Sequence, residues 1–387
     1  MKMKAAVIHK PGDRFIFETV EIDDEPREDE VLVRIYACSI CHTDELVRQT
    51  GATVKLPAIL GHEGAGVVEK AGSQVTEFEP GDKVVLTVPH CGTCEACRKG
   101  QYLSCENGFN MYFGRKDGTP RIRDKAGRAV GHLMGQGGFA ELVLCHKSSC
   151  VKIDKDVPFA AAAPVGCGFS TGSGTVLNFL KPVCEDAIAV YGVGSVGMAA
   201  VMGAKLAGCK TIIAIDCYDK KLELARELGA THTINSMRLE EEKGYSVEVS
   251  GPEAFITPRK YSLAEEVKRI TNGQGVKFAV VTAPSHKVVT AAIYSCANGG
   301  ECCVPASISP GEIPYQYMQT KNLRVSSCGM GFADKYKFFP YLLSEYKNGN
   351  YPIDRLLSYY QFDDIEQAFE DMEKGRAIKP VLLLAEE

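Results

Sequence analysis

Four cysteines crowd into fifteen residues, Cys91, Cys94, Cys97 and Cys105, in the spacing C-x2-C-x2-C-x7-C with Gly92 and Gly100 supplying tight turns. Four thiolates so close together can close a tetrahedral shell around zinc and leave no position open for chemistry. Iron–sulfur clusters also use closely spaced cysteines, but the fourth spacing departs from the common ferredoxin patterns. Four unrelated thiols and a nucleic-acid zinc knuckle are the competing readings. Arg98 and Lys99 lie nearby, yet no wider basic stripe or interleaved aromatics accompany them.

Gly192, Gly194 and Gly197 form G-x-G-x-x-G directly after the apolar run Ala187 to Tyr191 and at the start of a small-residue helix, Met198 to Leu206. In that setting the backbone N–H groups of the turn approach a pyrophosphate, and the helix N-terminus favours the anion. The next apolar run, Thr211 to Ile215, ends in Asp216, nineteen residues beyond Gly197. A carboxylate there accepts the ribose hydroxyls of NAD and repels the 2′-phosphate of NADP. Lys221 is placed to support the same ribose. The bland alternative makes Asp216 a helix cap and the glycines a packing turn.

Three further clusters are Cys41-His42-Thr43-Asp44, Gly61-His62-Glu63 and Gly166-Cys167-Gly168. Each alone is ordinary, since isolated cysteines are mostly small buried hydrophobes and isolated histidines are mostly structural.

The elements that must position these residues fall into two textures. Up to about residue 160, short β-like runs alternate with Gly and Pro: Ala5 to His9, Glu30 to Ala37, Gly66 to Ala71 and Lys83 to Val88. They read as a folded sheet or barrel. From Cys184 apolar strands alternate with helices: Ala187 to Tyr191, a helix from Ser195, Thr211 to Asp216, a helix Lys220 to Leu228, Leu263 to Thr271 helical, Phe278 to Thr282, Val288 to Ser295 helical, and Glu301 to Val304. Such alternation predicts a doubly wound parallel sheet that closes near Asn322. Helices at Lys335 to Lys347 and Ile365 to Lys374 and a strand at Val381 to Leu384 return to the first domain. Ser236 to Ser262 is charged and reads as an irregular surface excursion.

Length and composition narrow the class. At about 150 residues per domain, 387 residues predict two domains. With 45% hydrophobic and 24% charged residues the chain buries a sizeable core. Lys and Arg (44) against Asp and Glu (49) give a net charge of −5, so no global positive field draws the chain to nucleic acid or to anionic lipid. A small or neutral partner is expected. The early apolar run Ala5 to Ile8 is too short for a signal-peptide core, and no run approaches the roughly 18 apolar residues of a membrane helix. Sixteen cysteines in that context predict reduced thiols in the cytoplasm, with the clustered ones binding metal.

Taken in order, Cys-x-Thr-Asp, Gly-His-Glu, the four-cysteine lobe, Gly-Cys-Gly, the glycine turn and Asp216 resemble the zinc-dependent medium-chain alcohol dehydrogenases, and the resemblance runs through essentially the whole chain. It implies an α/β protein. A GroES-like β-rich catalytic domain would span 1–168 and 326–387, with its structural zinc lobe at 91–105, and a Rossmann doubly wound NAD-binding domain would span 169–325. It implies two zinc ions and NAD. Cys41, His62 and Cys167 resemble the three ligands of a catalytic zinc with an open fourth position. Glu63 matches an acidic neighbour of that metal and a possible further ligand. Asp44 matches the carboxylate that orients His62, and Thr43 the hydroxyl that meets the substrate oxygen. His42 matches a basic pyrophosphate contact, Lys379 a second phosphate contact, and Thr171 a residue beside the nicotinamide.

One position departs from the best-known members, because Leu46 stands where a histidine often completes the proton relay. Gly192-Val193-Gly194-Ser195-Val196-Gly197 and Ala377-Ile378-Lys379-Pro380-Val381 resemble the aryl-alcohol (benzyl alcohol) branch. The activity so implied is reversible oxidation of a primary aromatic or allylic alcohol to its aldehyde. The alternatives are a biosynthetic relative acting on a larger natural-product alcohol or carbonyl, and a non-catalytic binding or structural protein. Leu46, Thr87 and Leu133 are candidate pocket residues. A homodimer or homotetramer is implied, with Ser307 to Pro314 as the place to look for its interface.

Overall fold

The computed structural model describes residues 1–308 and 311–386. The chain forms two compact units, Met1–Gly168 with Ala333–Glu387, and Phe169–Phe332.

The first unit is built on two sheets. The smaller runs in spatial order Ile122–Arg123, Ile16–Ile22, Lys2–Ile8, Ala58–Ile59, Gly131–His132. The larger runs Cys150–Lys152, Lys83–Leu86, Gly64–Ala71, Glu30–Ser39, Lys379–Leu383, Leu357–Gln361, and Leu142–His146 also pairs with Glu30–Ser39. Glu30–Ser39 is the strand around which this sheet is organised: it pairs antiparallel with three others. Its side chains are buried along most of its length, as a strand covered on both faces requires. The core between the sheets packs Ile8, Leu32, Val33 and Leu144 with the rings of Phe15, Phe139 and Phe369. Phe15 and Phe139 meet edge to face at 5.8 Å, a favoured aromatic geometry.

The second unit carries a six-stranded parallel sheet in the order His232–Asn235, Thr211–Asp216, Ala187–Tyr191, Val276–Val281, Cys296–Cys303, Arg324–Ser326. Ala187–Tyr191 and Thr211–Asp216 pair residue for residue from Ala187 opposite Thr211 to Tyr191 opposite Ile215. The helix Ser195–Leu206 is buried from Gly197 to Ala204, and its Gly and Ala residues allow close approach to neighbouring backbone. Tyr191 is fully buried and donates its hydroxyl to Ser295 Oγ at 2.6 Å.

Two expectations change. The boundary expected at residue 325 falls inside the strand Arg324–Ser326, which pairs with Glu301–Cys303 and so belongs to the parallel sheet; the unit continues to Phe332. The excursion Ser236 to Ser262 is ordered. It begins with a helix, Ser236–Lys243, capped by the Asn235 side chain, and continues as an antiparallel ribbon of Ser246–Glu248 with Arg259–Tyr261. Three-residue strands, with four of their six side chains exposed, are too short to show alternation. Of the expected interface segment Ser307 to Pro314, Ser309 and Pro310 lie outside the described residues. Among the described residues no helix is long and apolar enough to cross a membrane.

Candidate active site and metal centres

Cys41 stands at the N-terminal cap of the helix His42–Thr50, immediately beyond the strand Glu30–Ser39. Asp44, in the first turn of that helix and fully buried, reaches back to accept from Cys41 N at 3.0 Å. Its other oxygen accepts from Gly61 N at 3.0 Å and lies 2.9 Å from His62 Nδ1. One carboxylate therefore fixes the backbone beside Cys41 and the ring of His62 together. Cys167 follows the turn Ala163–Gly166, which Thr87 holds by donating its hydroxyl to Gly166 O at 2.8 Å. Ligand atoms of Cys41, His62, Glu63 and Cys167 all lie within 4.8 Å of one another.

This donor set fits zinc. With Nδ1 turned to Asp44, the buried Nε2 of His62 has no hydrogen-bond partner, as a nitrogen waiting for a metal would show. The Cys41 thiol is held well below its ordinary value, first by the Cys167 thiol and also by His62, against burial. Thiolate is the form that binds metal.

Glu63 is differently engaged. Its carboxylate is fully buried and accepts from Ser39 Oγ, from Gly168 N at 3.1 Å, and from Lys379 Nζ at 2.5 Å. Burial pushes its carboxyl up to about 7, although Lys379 pulls the other way. The phosphate contact expected of Lys379 is thereby corrected: its ammonium is fully buried and spent on Glu63 and on Ile40 O at 3.0 Å.

The second centre lies in the segment 91–105. Sulfurs of Cys91, Cys94, Cys97 and Cys105 all fall within 4.8 Å of one another, around a short helix, Glu95–Arg98, and the turn Tyr102–Ser104. Zinc–sulfur bonds of about 2.3 Å place tetrahedral sulfurs about 3.8 Å apart, and Cys91 Sγ stands 4.0 Å from Cys97 Sγ. Burial is the largest influence on Cys97 and on Cys105 and pushes both up, while hydrogen bonds pull Cys91 and Cys94 down. Near this lobe the buried Lys335 donates to Val88 O at 2.9 Å and to Ser148 O. Burial lowers its ammonium to about 7, opposed by nearby cysteines including Cys97 and Cys105.

In the second unit the turn 192–197 has the shape its glycines predict. Gly192 has φ +87°, and a Cβ there would lie 2.8 Å from Ala283 N; a Cβ on Gly197 would lie 1.9 Å from Gly192 O. At Gly194 a Cβ would meet nothing within 4 Å, so open space faces the turn where a phosphate would approach. Asp216 ties this turn to its own strand: Oδ2 accepts from Val193 N at 2.8 Å, and Oδ1 from Cys217 N at 2.8 Å and Tyr218 N at 3.1 Å.

The other expected residues are placed as follows. His42 is exposed and Thr43 half-buried in the first turn of their helix. Thr171 is buried, with its hydroxyl 3.9 Å from Met330 Sδ. Lys221 lies on the helix Asp219–Leu228 with its ammonium 5.0 Å from the Tyr218 ring centre. Leu46 is 50% exposed, whereas Leu133 is fully buried in the core and Thr87 is buried with its hydroxyl engaged, so these last two do not offer an open pocket wall. Sequence reasoning passed over Ser39. Its signal, a hydroxyl at the last position of the strand Glu30–Ser39, two residues before Cys41, is not distinctive without the fold.

The chain is similar to known proteins over most of its length. Residues 27–155 match the alcohol dehydrogenase GroES-like domain, and residues 195–345 match the zinc-binding dehydrogenase family. A geraniol dehydrogenase of Castellaniella defragrans is 34% identical over 387 residues, spanning 98% of this chain and 97% of that one. The chain belongs to the zinc-dependent medium-chain alcohol dehydrogenase family. It is an oxidoreductase acting on alcohols, which removes the non-catalytic alternative. Among solved structures of this family, an alcohol dehydrogenase zinc-binding domain protein from Burkholderia ambifaria aligns with TM-score 0.90 at 35% identity, covering all of both chains. The benzyl alcohol dehydrogenase of Acinetobacter calcoaceticus aligns with TM-score 0.88 at 32% identity, again over all of both chains.

Proposed function

We propose that this alcohol dehydrogenase oxidises a primary aromatic or allylic alcohol to its aldehyde, reversibly, using two zinc ions and NAD. The observation that carries the reading is the convergence of Cys41, His62 and Cys167, with the buried His62 turning Nδ1 to Asp44 and leaving Nε2 unpartnered. The substrate class is supported by two relatives of this chain, named for geraniol and for benzyl alcohol.

In this reading Cys41, His62 and Cys167 hold the catalytic zinc. A zinc ion held there would supply Lewis acidity to a substrate hydroxyl. Asp44 keeps the ring and the cap in register, and the Glu63 and Lys379 pair neutralises itself beneath the donors. Thr43 Oγ1 accepts the alcohol proton and passes it onward. Cys91, Cys94, Cys97 and Cys105 close a structural shell without an open position. Backbone N–H groups of 192–197 bind the pyrophosphate, assisted by His42; Asp216 and Lys221 bind the ribose; Thr171 orients the nicotinamide. Assembly as a homodimer or homotetramer and residence in the cytoplasm belong to the same reading. None of the sixteen cysteines is in a disulfide, which supports a reducing compartment.

The test is a panel of alcohols assayed by NADH absorbance on zinc-replete protein, with metal analysis. Two zinc ions per chain are expected. Cys97→Ser should lower stability by opening the structural shell, and Cys167→Ala should abolish turnover with the fold retained. One zinc or none, or faster turnover of ethanol than of benzyl-type alcohols, overturns the reading.

A further inference from the structure

Three consecutive residues, Met330, Gly331 and Phe332, have φ of 47°, 63° and 52°, so the turn Gly329–Phe332 winds left-handed. Glycine adopts that region freely, whereas the side chains of Met330 and Phe332 crowd the backbone there. Such conformations persist only where the surroundings over-determine them, and they gather at functional sites.

The surroundings here are one continuous segment, the helix Gly168–Gly174 and its extension Thr175–Leu180. A Cβ on Gly331 would lie 2.2 Å from Ser170 O and 2.5 Å from Gly174 Cα, so only glycine fits. Asn178 Nδ2 donates to Gly331 O at 3.3 Å, and the rings of Phe332 and Phe179 meet edge to face at 5.9 Å. Gly331 and Phe332 are thereby fixed, and the residue before them is delivered half-buried onto the same segment. There Thr171 Oγ1 donates to Met330 Sδ at 3.9 Å.

The segment also touches the helix that follows the glycine turn. A Cβ on Gly172 would lie 2.0 Å from Val196 O, in the first turn of Ser195–Leu206, and Ser173 Oγ donates to Ala199 O at 2.8 Å. Thr171 therefore stands on a stretch packed against both that helix and the left-handed turn.

We propose that Met330 is a positioning residue for the nicotinamide half of the cofactor, its thioether holding Thr171 in the rotamer that meets the ring. The inference rests on the NAD reading above, in which Thr171 orients the nicotinamide. Threonine has staggered χ1 wells that aim its hydroxyl and methyl in different directions. A sulfur fixed beside the hydroxyl favours one of them. Methionine is flexible and does not hold one place by itself; the left-handed backbone, pinned at Gly331 and Phe332, confines it.

Two substitutions separate the parts. Met330→Leu keeps the bulk and loses the acceptor. Met330→Gly loses both, and takes a φ of 47° without strain, so it retains the turn.

The experiment titrates zinc-loaded protein by calorimetry with NADH and, separately, with ADP-ribose, which carries the adenosine and both phosphates but no nicotinamide. In Met330→Leu and Met330→Gly the dissociation constant for NADH should rise about 2–10-fold, the worth of one neutral hydrogen bond, while that for ADP-ribose stays at the parent value. Thr171→Val should weaken NADH in the same selective way. Adding Met330→Leu to it should cost nothing further, as expected of two residues acting through one contact. Equal weakening of NADH and ADP-ribose would reduce Met330 to a support for the whole site and overturn the proposal. So would unchanged NADH binding in Met330→Leu, or a double variant whose loss is the sum of the singles. A parent that binds neither ligand overturns the NAD reading and the proposal with it; in the other outcomes that reading stands.

Discussion

Lys379 Nζ sits 2.5 Å from Glu63 Oε2, and both side chains are fully buried. The pair lies one residue from His62 and is completed by Ser39 Oγ, Gly168 N and Ile40 O. Every charge in this small network has a partner, which is the condition under which a buried ion pair persists.

Removing Glu63 leaves the Lys379 ammonium charged and buried, while removing Lys379 leaves a buried carboxyl pushed further up, which must take a proton. Lys379→Met and Glu63→Gln should each destabilise the zinc-loaded protein by about 3–5 kcal/mol, the range for breaking a buried pair. The double variant should fall between the singles and the parent, because no bare charge remains. Urea unfolding of the four proteins checks this; additive losses would show that the residues act separately.

A second buried network makes stability depend on pH. Glu30 accepts from Arg115 Nη2 at 2.6 Å and Arg121 Nε at 2.8 Å. Burial raises its carboxyl, but the two guanidinium groups outweigh burial and bring it down from 4.5 to about 2. A group depressed in the folded state stabilises fully above its unfolded value and loses that contribution as pH falls through about 4.5 towards 2. The shift is worth on the order of 3 kcal/mol. Glu30→Gln should be less stable at neutral pH, with the gap to the parent narrowing steadily in denaturant melts below about pH 5. A gap independent of pH would rule out the ionised carboxylate as its source.

What the sequence made legible was local. Ala187 to Tyr191 and Thr211 to Asp216 were bounded to the residue, because each is an unbroken apolar run ended by a turn residue. The motif residues Cys41, His62, Glu63 and Cys167 are the ones whose ligand atoms gather within 4.8 Å. The partners of those residues were hidden, since Glu63 and Lys379 are separated by 316 positions and Glu30 from Arg121 by 91. The strand Cys296–Cys303 begins five residues earlier than its hydrophobicity suggests, because Gly299 and Gly300 interrupt the apolar pattern where its register against the neighbouring strand shifts between Cys296 and Glu301.

Asp216 has two duties that a substitution separates. Its carboxylate anchors Val193 N of the glycine turn and, in the proposed function, faces the ribose. Asp216→Ser should raise the ratio of NADP to NAD efficiency and also cut kcat/KM for NAD by about 10–100-fold, since a charge-assisted hydrogen bond is worth about 1.5–3 kcal/mol. Initial rates with both cofactors measure this. Equal efficiencies in the parent, or an unchanged ratio in the variant, would remove Asp216 from cofactor choice.

In the proposed function the alcohol proton leaves through Thr43. Thr43 lies in the first turn of the helix His42–Thr50, one residue before Asp44, which pins His62. If its hydroxyl carries the alcohol proton, Thr43→Ala should cost roughly 10² to 10⁴ in turnover, the scale for positioned proton transfer. Thr43→Ser keeps the hydroxyl and should remain active; Thr43→Val keeps the shape and should not. Leu46, one turn along the same helix and 50% exposed, cannot titrate. The pH profile of alcohol oxidation should therefore carry no step from that position, and Leu46→His should add one near about pH 6.5. An apolar side chain at position 46 also favours a bulky aromatic alcohol over ethanol, so the same substitution should narrow the preference for benzyl-type alcohols in kcat/KM. Full activity in Thr43→Val would place the proton on another path, and an unchanged pH profile in Leu46→His would place residue 46 outside it.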